Sequence, residues 1–189
     1  MSKIFVLGYN KTGTKSLAKA LEILGYNVLH MGAREKLIRI MYDNLVENKP
    51  ILNRIGQFDC YLDYPIFEPN VFSHIVNEHR DAKYISLTRN YDDYVESVLK
   101  DKIKNLDDGI VDSWNWLGVG GKEVFENYPK YQKEWVKEKT KFKHQSNIRF
   151  LDKYMIDFLE MNICDSGDGW EELCSYLDQP IPNEEFPRE

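Results

Sequence analysis

Hydrophobic positions along the chain change period several times, and each change marks an element. Ile4-Phe5-Val6-Leu7 is an unbroken apolar run ending at Gly8, the pattern of a buried strand that enters a tight turn. From Ser16 to Leu24 the period lengthens: Leu17, Leu21 and Leu24 share one helical face, and Gly25 is placed to end the helix. Tyr26 to Met31 reads as a second strand, and Arg34 to Glu47 as a helix burying Leu37, Ile38, Met41 and Leu45. Pro50 to Pro65 shows neither period and reads as irregular. Phe72, Ile75, Val76 and His79 define a third helix, and Lys83 to Thr88 a strand. Tyr94, Val95, Val98 and Leu99 form the inner face of a helix starting near Tyr91. Residues 105–121 read as a loop-rich lid. Its Gly118-Val119-Gly120-Gly121 cluster follows no strand and so makes a poor phosphate loop. Tyr128 to His144 reads as a helix with Tyr128, Tyr131, Trp135 and Phe142 inward and six lysines toward solvent. Ile156 to Ile163 is the last strand. Trp170, Leu173, Cys174 and Leu177 mark a final helix, stopped by Pro180 and Pro182.

Strands alternating with helices predict an α/β fold, three layers α/β/α around a central parallel sheet. At 189 residues, and with no repeat or linker, the chain reads as one domain over residues 1–189. The net charge of −6 argues against a general nucleic-acid binder, while leaving room for a local basic pocket. No apolar run approaches the roughly 20 residues that cross a bilayer, and the apolar start breaks at Tyr9-Asn10-Lys11, short of a secretory signal. A cytoplasmic protein is expected. Its three cysteines, Cys60, Cys164 and Cys174, are odd in number and widely spaced, so they read as buried reduced thiols.

The informative chemistry lies between the first strand and first helix, in Gly8-Tyr9-Asn10-Lys11-Thr12-Gly13-Thr14-Lys15-Ser16. Backbone N–H groups and the helix dipole favour an anion there. Gly13 permits the tight turn, Thr12, Thr14 and Ser16 carry hydroxyl donors, and Lys11 and Lys15 supply charge. The plain alternative is a polar turn with a capping hydroxyl. A triphosphatase loop needs lysine directly after its second glycine; here Thr14 stands in that place and Lys15 falls one residue, about 100° of helix, late. A second candidate is Arg89, at the end of the Lys83 strand, with Ser97 eight residues later in the next helix. An arginine at the carboxyl end of a parallel strand points into the ligand crevice, and its fork matches a phosphate.

Lys11-Thr12-Gly13-Thr14 followed by Ser16, together with Arg89 and Ser97, resembles the two nucleotide motifs of sulfotransferases that use 3′-phosphoadenosine 5′-phosphosulfate (PAPS). Leu62-Asp63-Tyr64-Pro65, Gly167 to Cys174 and Phe186-Pro187-Arg188 extend the likeness to a compact, single-domain branch with a P-loop NTPase-like fold. The resemblance implies sulfuryl transfer to a hydroxyl or amine of a small-molecule or glycan acceptor, without a metal, leaving 3′-phosphoadenosine 5′-phosphate (PAP). It implies that Lys11 neutralises the leaving group, that Thr12 to Ser16 hold the 5′-phosphate, and that Arg89 and Ser97 hold the 3′-phosphate. Replacing Arg89 is then expected to leave the 5′ site untouched. Asp63 falls where cytosolic members carry a catalytic histidine, and His30, ending the second strand, is the alternative base. The cytosolic branch of the family stacks an aromatic on adenine where this chain has Ser16; what takes that place here is open, with Trp170 as the candidate and core packing as its ordinary role. A small-molecule or nucleotide kinase, and a nucleotide-binding module without chemistry, are the rival readings.

Overall fold

The computed structural model describes residues 2–32, 34–107 and 129–189, the side chains at 102–107 and 129–132 excepted. The elements in chain order are β1 (Ile4–Leu7), α1 (Thr14–Ile23), β2 (Val28–His30), α2 (Glu35–Val46), β3 (Cys60–Leu62), α3 (Pro69–Glu78), β4 (Lys83–Leu87), α4 (Tyr91–Asp107), α5 (Pro129–Lys153), β5 (Phe158–Met161) and α6 (Trp170–Leu177). The strands form one parallel sheet in the order β2-β3-β1-β4-β5.

β1 is buried along its whole length because it is covered on both faces, which is why it reads as a continuous apolar run. Alternation persists underneath. Phe5 and Leu7 join Leu29, Tyr61 and Tyr84 in a core closed by α2, α3 and Leu151 of α5. Ile4 and Val6 join Leu62, Ile85 and Met161 in a second core, closed by Leu17 and Leu21 of α1 and Leu173 and Leu177 of α6. A third cluster, Tyr9, Phe67, Tyr94, Val98 and Val136, fastens α4 and α5 beside the loop that follows β1.

Two features differ from the sequence pattern. The stretch read as irregular contains β3, which sits between β2 and β1 in the sheet. Three buried residues are too few for any period to register. On α5 the expected aromatic stripe fails at Phe142, which is 68% exposed. Among the described side chains of that helix the buried ones are Val136, Thr140, Asn147 and Leu151, and the Asn147 side-chain amide donates to the Phe67 carbonyl at 2.8 Å; Tyr128 and the Tyr131 side chain lie outside the described part. A polar inward face hid its orientation. α5 also runs on to Lys153, well past the expected end at His144. The other helix and strand boundaries hold to within a few residues, and Gly25 closes α1 as anticipated, with Gly25 N–H bonded to Glu22 O and Tyr26 N–H to Leu21 O. The final helix ends at Asp178, whose left-handed backbone (φ 53°) stops it before either proline. The bulk of the segment read as a lid lies outside the described residues.

The sheet order creates the crevice. The chain leaving β1 turns through α1 toward β2, whereas the chain leaving β4 turns through α4 and α5 toward β5. Loops that diverge from adjacent parallel strands leave a gap at the strands' carboxyl ends, where ligands of such sheets bind.

Candidate active site

A cleft of about 850 Å³ opens at this point. Its walls include Lys11, Gly13, Thr14, Lys15 and Ser16 from the first loop, His30, Asp63, Arg89, Ser97, and the segment Ile163–Gly167. Nine of the ten residues singled out from sequence therefore converge. The tenth, Thr12, is buried, and its hydroxyl donates to the Tyr9 carbonyl at 2.6 Å. That side chain faces a smaller cavity of about 240 Å³ behind Arg89 and holds the loop's shape.

The loop leaves backbone amides free at the start of α1. α1 starts at Thr14, and its N-cap is Gly13, which has φ 89° and offers no side chain to the free amides. A Cβ on Gly13 would also lie 3.1 Å from that of Ile163. The first intrahelical bond is Leu17 N–H to Gly13 O, so the amides before it have no helical acceptor, and the first turn carries no acidic residue. Ser16 Oγ accepts the Glu189 N–H at 2.9 Å, which leaves its proton to donate elsewhere. Lys11 adopts the left-handed conformation (φ 68°), at a cost of about 1–3 kcal/mol for a residue of this kind. Arg89 restrains it: its Nη1 donates to the Lys11 carbonyl at 2.8 Å. Lys11 Nζ lies 3.3 Å from Asp101 Oδ1 on α4.

On the opposite wall, His30 and Asp63 meet. His30 Nε2 is 3.7 Å from Asp63 Oδ2 and 3.3 Å from Thr14 Oγ1. Asp63, also left-handed (φ 72°), accepts the Tyr64 N–H on Oδ1 at 2.7 Å. Burial pushes its carboxyl above the usual range, against the lowering effects of the Tyr64 N–H and His30. Gly32 leaves room for this carboxylate: a Cβ there would stand 2.5 Å from Asp63 Oδ2 and force it to move.

Several contributors carried no assigned role in the sequence reading. Asp165 accepts the Asn90 N–H at 2.6 Å and lies 3.7 Å from Arg89 Nε, bracing the turn after β4. Arg188 enters the cleft wall and donates to Ile163 O and Gly167 O. His144 pairs its Nε2 with Ser86 Oγ at 3.0 Å and its Nδ1 with Tyr91 OH at 3.1 Å, tying β4 to the start of α4. Burial holds it below the ordinary histidine range. Two had a visible signal: Asp101 follows Ser97 by four residues, one helical turn, and Arg188 belongs to the Phe186-Pro187-Arg188 segment that carries the resemblance. Trp170 is buried; its Nε1 donates to Glu184 O at 2.8 Å and its ring meets Phe186 edge-on, so it packs the core. Cys60 and Cys174 are buried free thiols, but Cys164 is exposed at the cleft, contrary to expectation. It sits on the loop beyond β5, past the last residue the sheet covers. Among the described residues, no cluster of three or more His, Cys, Asp or Glu is arranged around a metal position, and no helix is long and apolar enough to cross a membrane.

The family model described as "Sulfotransferase domain" matches residues 3–189. The chain belongs to the sulfotransferase-domain family. Among relatives of this sulfotransferase-domain protein is the "Ava biosynthesis cluster protein M" of Aspergillus versicolor, 23% identical over 211 residues that cover 98% of this chain and 79% of the relative. A solved structure titled "Sulfotransferase Domain from the Curacin Biosynthetic Pathway" shares the fold with a TM-score of 0.51 at 15% identity, covering 96% of this chain and 75% of that one.

Proposed function

We propose that the protein transfers the sulfuryl group of PAPS to a hydroxyl or amine of a small-molecule or glycan acceptor. The observation that carries this reading is the convergence of Lys11 with its anion-binding loop, Arg89 and Ser97 on one cleft, with Lys in the loop position that suits a phosphosulfate rather than a triphosphate. The residues fit such a donor: free helix amides and Lys15 and Ser16 at one end, and a guanidinium with a nearby hydroxyl at the other. Arg188 lines the same cleft as a further cation.

When bound, PAPS supplies an activated sulfuryl group whose S–O bond to the 5′-phosphate breaks as the bond to the acceptor atom forms. Lys11 neutralises charge developing on the bridging oxygen. The α1 amides and the Thr14 and Ser16 hydroxyls hold the 5′-phosphate, and Arg89 and Ser97 the 3′-phosphate. Asp63 takes the acceptor proton; burial raises its proton affinity toward the working range of a base. His30, between Thr14 and Asp63, links the phosphate loop to that base rather than competing with it.

Calorimetric titration distinguishes this reading from a kinase. PAP is expected to bind at least about tenfold tighter than AMP or ATP with Mg²⁺, because a charge-assisted contact contributes about 1.5–3 kcal/mol. Equal affinities sink the reading. Transfer from labelled PAPS across a panel of phenols, alcohols, amines and sugars then identifies the acceptor class, and absence of turnover with every acceptor favours a binding module.

A further inference from the structure

Beyond the residues given roles above, the structure points to a part for Asp101. We infer that Asp101 is the resting counter-ion of Lys11: it holds the ammonium while the cleft is empty and yields it to an incoming phosphate or phosphosulfate. The inference rests on the reading of the cleft as a nucleotide site.

Asp101 stands on α4 one turn beyond Ser97, and both side chains line the cleft. Its Oδ1 is 3.3 Å from Lys11 Nζ, and the two side chains are 34% and 38% exposed. An ion pair this open contributes about 0–1 kcal/mol. It is weak enough to exchange, since charge-assisted bonds to a polyanion are stronger. The pair also fixes where the ammonium waits. Lys11 is held at its carbonyl by Arg89 and at its ammonium by Asp101, so the flexible stem between them starts close to its working position. Once the anion takes Lys11, Asp101 loses that one contact and stands close to a ligand of like charge. Its repulsion opposes binding of donor and product alike and so promotes product release.

The role predicts an improvement in binding on mutation, which structural damage does not produce. In calorimetry at low salt, Asp101→Asn is expected to bind PAP about five- to tenfold more tightly than the unaltered chain. The gain should shrink at 1 M salt, where screening falls to about 3 Å. Asp101→Glu, which keeps the charge, should stay within about twofold of the unaltered chain, and Asp101→Ser should repeat the Asn result if Asn perturbs the helix. Inorganic pyrophosphate, titrated in parallel, separates the two readings. If PAP binds neither chain but pyrophosphate binds Asp101→Asn more tightly, the donor assignment falls and the role of Asp101 stands. If neither anion binds Asp101→Asn more tightly, the counter-ion role is overturned whatever the donor.

Discussion

Arg89 donates from Nη1 to the carbonyl oxygen of Lys11 at 2.8 Å, joining residues 78 positions apart across the divergence of β1 and β4. The arginine proposed for the 3′-phosphate thus also holds the backbone of the lysine proposed for the leaving group. Treating the two phosphate sites as independent, as spacing alone invites, misses this bond.

Arg89→Ala should therefore damage both ends of the cleft. Loss of the phosphate contact removes at least about tenfold of the preference for PAP over AMP, and loss of a charged donor to Lys11 O lowers kcat about tenfold or more. Isothermal titration and labelled-donor turnover read the two separately. Full kcat in a variant that no longer discriminates would show that the Lys11 bond is idle.

Asp63→Asn keeps the Tyr64 N–H acceptor but cannot take a proton. Expected are a fall in kcat of about 10² to 10⁴, with kcat/KM falling in parallel and PAP affinity unchanged. Stability should move the other way. Burial raises the folded carboxyl's pKa, so the ionised form costs stability: the cost builds as pH rises from the unfolded value near 3.8 through the higher folded value, and is complete above it. The Asn variant should melt higher than the unaltered chain near pH 7–8, by about 2–4 °C per kcal/mol relieved for a domain of this size, and the difference should vanish in acid. Calorimetric scans across pH check the sign.

Gly32→Ala tests the same carboxylate from outside. The added Cβ would lie 2.5 Å from Asp63 Oδ2, and the displaced carboxyl should lose turnover with little loss of PAP affinity. Turnover within about twofold of the unaltered chain would separate Asp63 from the chemistry.

His144 should make the fold acid-sensitive. Its folded pKa is depressed by burial, so the unfolded chain binds the proton more readily, and stability is lost as pH falls from near 6.5 through the folded value. Protonation also removes its capacity to accept from Ser86 or Tyr91. Urea midpoints between pH 5 and 8 should fall with acid in the unaltered chain and change less in His144→Gln.

Cys164 should be the one thiol alkylated in the native protein, since Cys60 and Cys174 are buried. Because it lines the proposed nucleotide cleft, PAP should slow its labelling. Peptide mass mapping after brief treatment with iodoacetamide decides both points; equal labelling of Cys60 would contradict the packed core.

The βα alternation, the parallel sheet, the polar glycine-containing turn from Gly8 to Ser16, and Arg89 just past a strand with Ser97 in the helix that follows were all legible in the sequence. These are local: apolar period, glycine at a turn and the offset between a strand's end and the next helix are written in consecutive residues. Tertiary structure alone decided the rest. The insertion of β3 between β2 and β1, the meeting of His30 with Asp63 and Thr14, the clasp of Arg89 on Lys11 and the bridging of Ser86 and Tyr91 by His144 all join residues far apart in the chain. Their partners are chosen by strand order, and strand order depends on which buried faces fit together, a property of the packed whole that no window of neighbouring residues contains.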